Sequence, residues 1–379
     1  MGIDAIVSHG TFTLGHSKLE IMTPIGDTFH TPKGILPAKQ PGQFVTGAIP
    51  YLILKNIGLT YEKNYNLTAS LVTWLSTSLL SAISLTLLFQ LLKIWGYQYK
   101  HAMWSVFSVG LCSHWLVYAG IAHHDIVASS YLLIALYLSE FNLIKRKGNG
   151  ILSPIFSGIF AGLIIFSSML PTLIVMVFGF YILASLNRRH IIWVGIGFTI
   201  GLLPLAIYNN YYFDSPFKQA NIAGNYADTF FNFNLNQFTH HVNAYIGWGG
   251  LSIWKYSPII MLGFFGLFFL PKQRLAVKAF IFGACFIHLA YITNIETLGT
   301  CQYAPRYLVP LLPLCIIGLT QLLHKFEKTW QFEWRLIFGI LVTLSFAASI
   351  VGALGGVMQC DLNNFMMIKY LNHHNKWNT

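Results

Sequence analysis

Ten apolar windows recur along this chain, at 67–94, 102–120, 124–143, 151–168, 170–186, 190–208, 256–270, 275–293, 306–323 and 335–357. Blocks of about 17 to 25 residues match what a helix needs to cross a hydrocarbon core, and in lipid only helices and closed barrels satisfy their own backbone groups. The sequence therefore predicts an all-α, polytopic transmembrane helical bundle of about ten spans. Composition agrees. Of the 379 residues, 55% are hydrophobic and 9% charged, against roughly 25% charged in a soluble protein, so a water-facing surface cannot be covered.

The formal charge of +11 would suit nucleic acid if it formed one patch. It does not. The basic residues lie in short clusters between windows, the pattern that orients a membrane protein, and no nucleic-acid partner is expected. Lys93 and Lys100, Lys145 to Lys147, Arg188 and Arg189, Lys272 with Arg274 and Lys278, and Lys325, Lys328 and Arg335 fall on alternate connections and hold thirteen of the 23 Lys and Arg residues. These connections are expected to be cytoplasmic. Nine of the twelve acids (Asp4, Glu20, Asp27, Glu62, Asp125, Asp214, Asp228, Glu296, Asp361) fall on the other side. The resulting division is an external juxtamembrane segment 1–66 with an interfacial helix, a bundle 67–357 carrying a long external loop 209–255, and an external tail 358–379. The five cysteines are scattered and suggest neither a disulfide framework nor a CxxC metal site.

Three stretches carry candidate chemistry on the external side. In "HTPKGILPAKQPGQFVTGAIPYLI" the prolines Pro32, Pro37 and Pro41 interrupt any helix, giving an ordered loop that feeds an amphipathic helix over 43–58, with Phe44, Ile49, Leu52 and Leu54. Lys39 then sits at headgroup depth, either snorkelling as an anchor or pairing with a lipid phosphate. In "GTCQYAPRYLVPLLPL" Arg306 stands at the mouth of a span between Tyr303 and Tyr307. An arginine there is costly unless it meets a phosphate or carboxylate, and Pro305, Pro310 and Pro313 suggest a broken helix lining a cavity. In "AGIAHHDIVASS" the residues His123, His124 and Asp125 open a span. Adjacent residues point about 100° apart, so the three cannot all ligate one metal from one helix face; one of them with Asp27 is the alternative, and a plain polar helix start is the other. The loop 209–255 adds many aromatic residues, suited to sugar faces and prenyl chains or to an interface. No phosphate-binding loop, nucleophile elbow or HExxH element of a soluble enzyme is present.

In order along the chain, "GDTFHTPKGILPAKQPGQFVTGAIPYLI", "YNNYYFDSPF", "WKYSPII" and "YAPRYLVPLLPL" resemble the GT-C class of integral-membrane glycosyltransferases, in particular the RgtA/B/C/D-type and dolichyl-phosphate-mannose-type mannosyltransferases. Asp214 stands where glycine is common in that pattern. The resemblance implies a polyprenyl-phosphate sugar donor and a glycan, lipid or protein acceptor, with membrane lipids as further partners, in a cell membrane such as a bacterial inner membrane. It implies an inverting displacement with Asp27 and Asp125 as the catalytic acids, and Lys39, His124, Tyr303, Arg306 and Tyr307 contacting substrate. His124 would position an acceptor or help hold a divalent cation, with no cofactor otherwise fixed by the resemblance. Two departures accompany it: the chain resembles a sequence beginning after a first transmembrane helix, and Met169-Leu170-Pro171 replaces a Glu-Tyr-Pro element. A transporter or lipid-binding protein of the same fold, or a truncated inactive relative, are the alternatives.

Overall fold

The structure, a computed structural model, describes residues 1–16, 28–145, 150–218, 234–295, 298–299, 301–326, 332–355 and 358–359. It is an all-α membrane bundle. In chain order its helices are α1 (Gly2–His9), α2 (Gly42–Asn56), α3 (Tyr65–Ile94), α4 (Tyr99–Leu111), α5 (Trp115–Ala119), α6 (His124–Lys145), α7 (Leu152–Ser167), α8 (Thr172–Ser185), α9 (Arg188–Phe213), α10 (Leu235–Tyr245), α11 (Ile253–Tyr256), α12 (Pro258–Phe269), α13 (Lys272–Ile292), α14 (Arg306–Phe326) and α15 (Phe332–Gly355). Among the described residues α3, α9, α13, α14 and α15 are each long and apolar enough to cross a membrane, and α7, α8 and α12 are shorter apolar helices. Each of the ten expected windows falls on a helix, although 102–120 is broken at Cys112–His114.

Lipid is as apolar as leucine, so helices in it associate by close packing rather than by escape from water. Here that packing is built from glycine. Gly158 and Gly162 on α7 face Gly197 and Gly201 on α9, each pair spaced four apart; a Cβ on Gly158 would lie 2.0 Å from the Val194 carbonyl oxygen and one on Gly197 2.0 Å from that of Ile155. Gly266 and Gly318 bring α12 and α14 equally close. Backbones touch where side chains would otherwise hold them apart.

Two sets of cross-links define the two ends of the bundle. At one end Glu140, 2% exposed, accepts from the Trp95 indole (2.8 Å) and the Tyr181 hydroxyl and meets Arg274 at 3.4 Å, while Arg274 also stacks over Trp95. Tyr97 donates to Gln321 at 2.8 Å beside them. The connections expected to be basic thus gather together. At the other end Ser168 donates to Asp125 (2.8 Å), the Tyr118 hydroxyl to the Tyr303 carbonyl (2.6 Å), and His288 Nε2 meets the Tyr307 carbonyl (2.7 Å).

The structure departs from expectation in the segments outside the windows. Within the segment expected to be an ordered loop, residues 28–37 form a hairpin of β1 (Thr28–Thr31) and β2 (Gly34–Pro37), paired antiparallel from Thr28 with Pro37 to Thr31 with Gly34. The span expected to end near 208 continues to Phe213, because Tyr208, Tyr212 and Phe213 are buried with Leu36 of the hairpin and Phe166. The loop 209–255 is not without helices: α10, α11 and the end of α9 lie in it, and 219–233 fall outside the described residues. On α2 the exposed apolar side is Ile49, Leu52, Ile53 and Ile57, whereas Leu54 turns inward beside Tyr51. In the tail, Met358–Gln359 pair with Cys301–Gln302.

Candidate functional site

The site grows out of four chain breaks at the same end of the bundle. The turn 38–41 leads from the hairpin into α2, 120–123 joins α5 to α6, 168–171 joins α7 to α8, and 301–305 enters α14. The start of α2 is seated on the end of α7: a Cβ on Gly42 would meet Ser167 Cα at 2.7 Å. Tyr131 of α6 also reaches Thr46 of α2 at 3.1 Å, tying the amphipathic helix to the bundle.

Asp125 lies in the first turn of α6 and is fully buried. Its Oδ1 accepts from the Ser168 hydroxyl at 2.8 Å and lies 3.3 Å from His124 Nε2. Its Oδ2 has no hydrogen-bond partner, and His123 Nδ1 is 3.8 Å away. His123 precedes the helix, so it escapes the helical spacing that would have pointed it elsewhere. Its ring stacks on that of His124 at 4.4 Å, and its Nδ1 accepts from the Asp125 backbone N–H at 3.3 Å. The expectation that these three adjacent residues cannot converge is therefore corrected: one ligand atom from each lies within 4.8 Å of the others. Burial pushes the His123 imidazole down to about 4, against the opposing pull of Asp125. The ring is neutral at neutral pH, with a lone pair to offer.

Arg306 reaches this cluster from the opposite end of the chain. Nη1 donates to Gln302 (3.0 Å) and Nη2 to the Tyr307 hydroxyl (3.2 Å), with the guanidinium 4.8 Å above the Tyr307 ring. Nε is buried without a partner, and no carboxylate lies within ion-pair distance among the described residues. The preceding backbone is strained: Ala304 has φ 58°, a left-handed conformation that costs an alanine about 1–2 kcal/mol. Half-buried Lys39 completes the arrangement, and the charges of Lys39 and Arg306 both act on His123 and His124.

Of the residues singled out in the sequence, Lys39, His124, Asp125, Arg306 and Tyr307 thus belong to one cluster. Tyr303 plays another part: it is 1% exposed, its hydroxyl donates to the Ala348 carbonyl of α15, and its ring packs edge-on against Tyr256. It braces the loop rather than offering a free group. Asp27 lies outside the described residues. Sequence reasoning named His123 in the His-His-Asp run without giving it a role of its own, and missed Ser168 and Gln302 as contributors. Only His123 had a signal, its place in the His-His-Asp run.

The fold and this cluster define a helical membrane protein with a buried polar site at one end of its bundle. No protein-family model matches the chain, and no curated protein matches it.

Proposed function

We propose that this end of the bundle binds a polyprenyl-phosphate sugar and transfers the sugar to an acceptor hydroxyl on the external face of a cell membrane. The observation that carries the reading is that the charges of Lys39 and Arg306, far apart in the chain, both act on the two histidines beside a buried carboxylate whose Oδ2 is unpaired. The hydrogen bonds of Arg306 to Gln302 and Tyr307 go to neutral groups, with the Asp125 charge acting on it from beyond ion-pair distance, so an anionic phosphate would give it a direct countercharge. As the sugar's bond to the phosphate oxygen breaks, the electron pair stays with the phosphate, and two fixed cations stabilise that charge. The acceptor oxygen forms the new bond to the same carbon and its proton passes to a carboxylate. Asp125 is the described carboxylate at the site, and Asp27 is the second acid the family resemblance implies. The positive-inside distribution of lysine and arginine supports an external position for the site.

The test uses purified protein in liposomes with a short-chain prenyl-phosphate sugar and a radiolabelled acceptor. Arg306→Ala and Lys39→Ala are each expected to lower turnover about 100-fold or more, with prenyl-phosphate binding weakened in parallel. Unchanged turnover in both variants would overturn the reading. Tight binding of the prenyl phosphate without any transfer by the wild type would favour a lipid-handling protein instead.

A further inference from the structure

We infer that His123, His124 and Asp125 bind one divalent transition-metal ion whose open coordination position accepts an anion held by Arg306 and Lys39. Two imidazoles and one carboxylate are the donor set of a zinc-type catalytic site, three protein ligands with a fourth position left free. Asp125 Oδ1 lies 3.3 Å from His124 Nε2 and Oδ2 lies 3.8 Å from His123 Nδ1; with one atom from each residue the donor set lies within 4.8 Å, wider than the ligand-to-ligand edge of about 3.4 Å of a tetrahedron with 2.0–2.2 Å metal bonds. A small rotation of side chains closes the remaining gap.

A second observation points the same way. Asp125 Oδ2 is a buried polar atom without a partner, on a residue 0% exposed, and it lies 3.8 Å from His123 Nδ1. Leaving a buried polar group unsatisfied costs about 1–3 kcal/mol, a cost that coordination removes. Ser168 supplies an outer hydrogen bond at 2.8 Å to the ligating carboxylate, the kind of partner that orients metal ligands.

Charge then decides what else must bind. A divalent ion with one carboxylate leaves a net positive site, and Arg306 and Lys39 add to it, so the ion is held weakly until an anion joins it. A phosphate oxygen in the fourth position relieves that repulsion. Metal and phosphate therefore bind cooperatively, and each raises the other's affinity by the same factor. The metal site does not depend on sugar transfer. If both hold, the ion takes Asp125 as a ligand and removes it from the role of proton acceptor.

The experiment is titration of the full chain, purified in detergent and stripped with chelator, with Co²⁺ followed by its visible ligand-field bands and by metal analysis. One equivalent per chain is expected. His123→Ala and His124→Ala should each abolish the bands, Ser168→Ala should weaken binding about 10- to 100-fold, and His241→Ala, on α10, should bind as wild type. A short-chain prenyl monophosphate should tighten Co²⁺ binding at least about 10-fold, an effect lost in Arg306→Ala. Size-exclusion profiles identical to wild type establish that the histidine variants are folded, and Ser168→Ala tests the same site without removing a ligand. Binding below a tenth of an equivalent, or bands unchanged in both histidine variants, would overturn the metal site. Metal binding indifferent to the phosphate would overturn its coupling to the cations. A sound metal titration with no sugar transfer leaves this inference standing and defeats only the transferase reading.

Discussion

Gly299 shows how narrowly Arg306 is held. Its φ is 64°, and a Cβ there would lie 2.8 Å from Arg306 Nε and 2.9 Å from the Tyr307 ring. Gly299→Ala must therefore adopt a left-handed backbone, at about 1–2 kcal/mol, and also displace the guanidinium. We expect prenyl-phosphate binding to weaken about 10-fold in this variant with its thermal unfolding lowered only modestly; an unchanged dissociation constant would show that the arginine's position does not matter. The charged residues of the site were legible because a charge beside an apolar span has few reasons to exist. Tyr303 was not legible as a brace, since its type and spacing suit a stacking surface equally well. The role of His123 was hidden for another reason: where a helix starts decides where the neighbouring side chain points, and α6 begins one residue later, at His124.

Among the helices, the interleaved glycines of α7 and α9 determine how closely the hairpin end is held. Gly197→Leu would drive a side chain into the Ile155 carbonyl and force the helices apart, costing at least about 1–3 kcal/mol by overpacking alone. The expected result is a lower unfolding midpoint in detergent and loss of the wild-type proteolysis pattern; wild-type stability would mean that the contact carries no energy. Hydropathy located the helices because the same physics, a hydrocarbon phase that punishes bare backbone, acts on every span. It did not locate the β-hairpin or the break at Cys112–His114. Both depend on partners distant in sequence: Phe166 and Tyr212 bury Leu36, and His114 meets Ser257 at 3.0 Å across the break.

Across the whole molecule the cationic connections and the candidate site lie at opposite ends, with the Glu140 network tying one end and the Asp125 cluster the other. If the basic end is cytoplasmic, single cysteines introduced at Lys272 and at Lys218 in a cysteine-free chain should differ in labelling by a membrane-impermeant maleimide on intact cells. Lys218→Cys is expected to label from outside and Lys272→Cys only after permeabilisation; the reverse pattern would invert the orientation. The sequence by itself determined that the chain lives in a membrane as helices, and which connections are basic, because hydropathy and charge are summed over local residues. Only the tertiary structure decided that Lys39, His123, His124, Asp125 and Arg306 share one site. Their convergence is set by backbone contacts between glycines and by loop geometry, and those depend on which helices meet, a property no local stretch of residues contains.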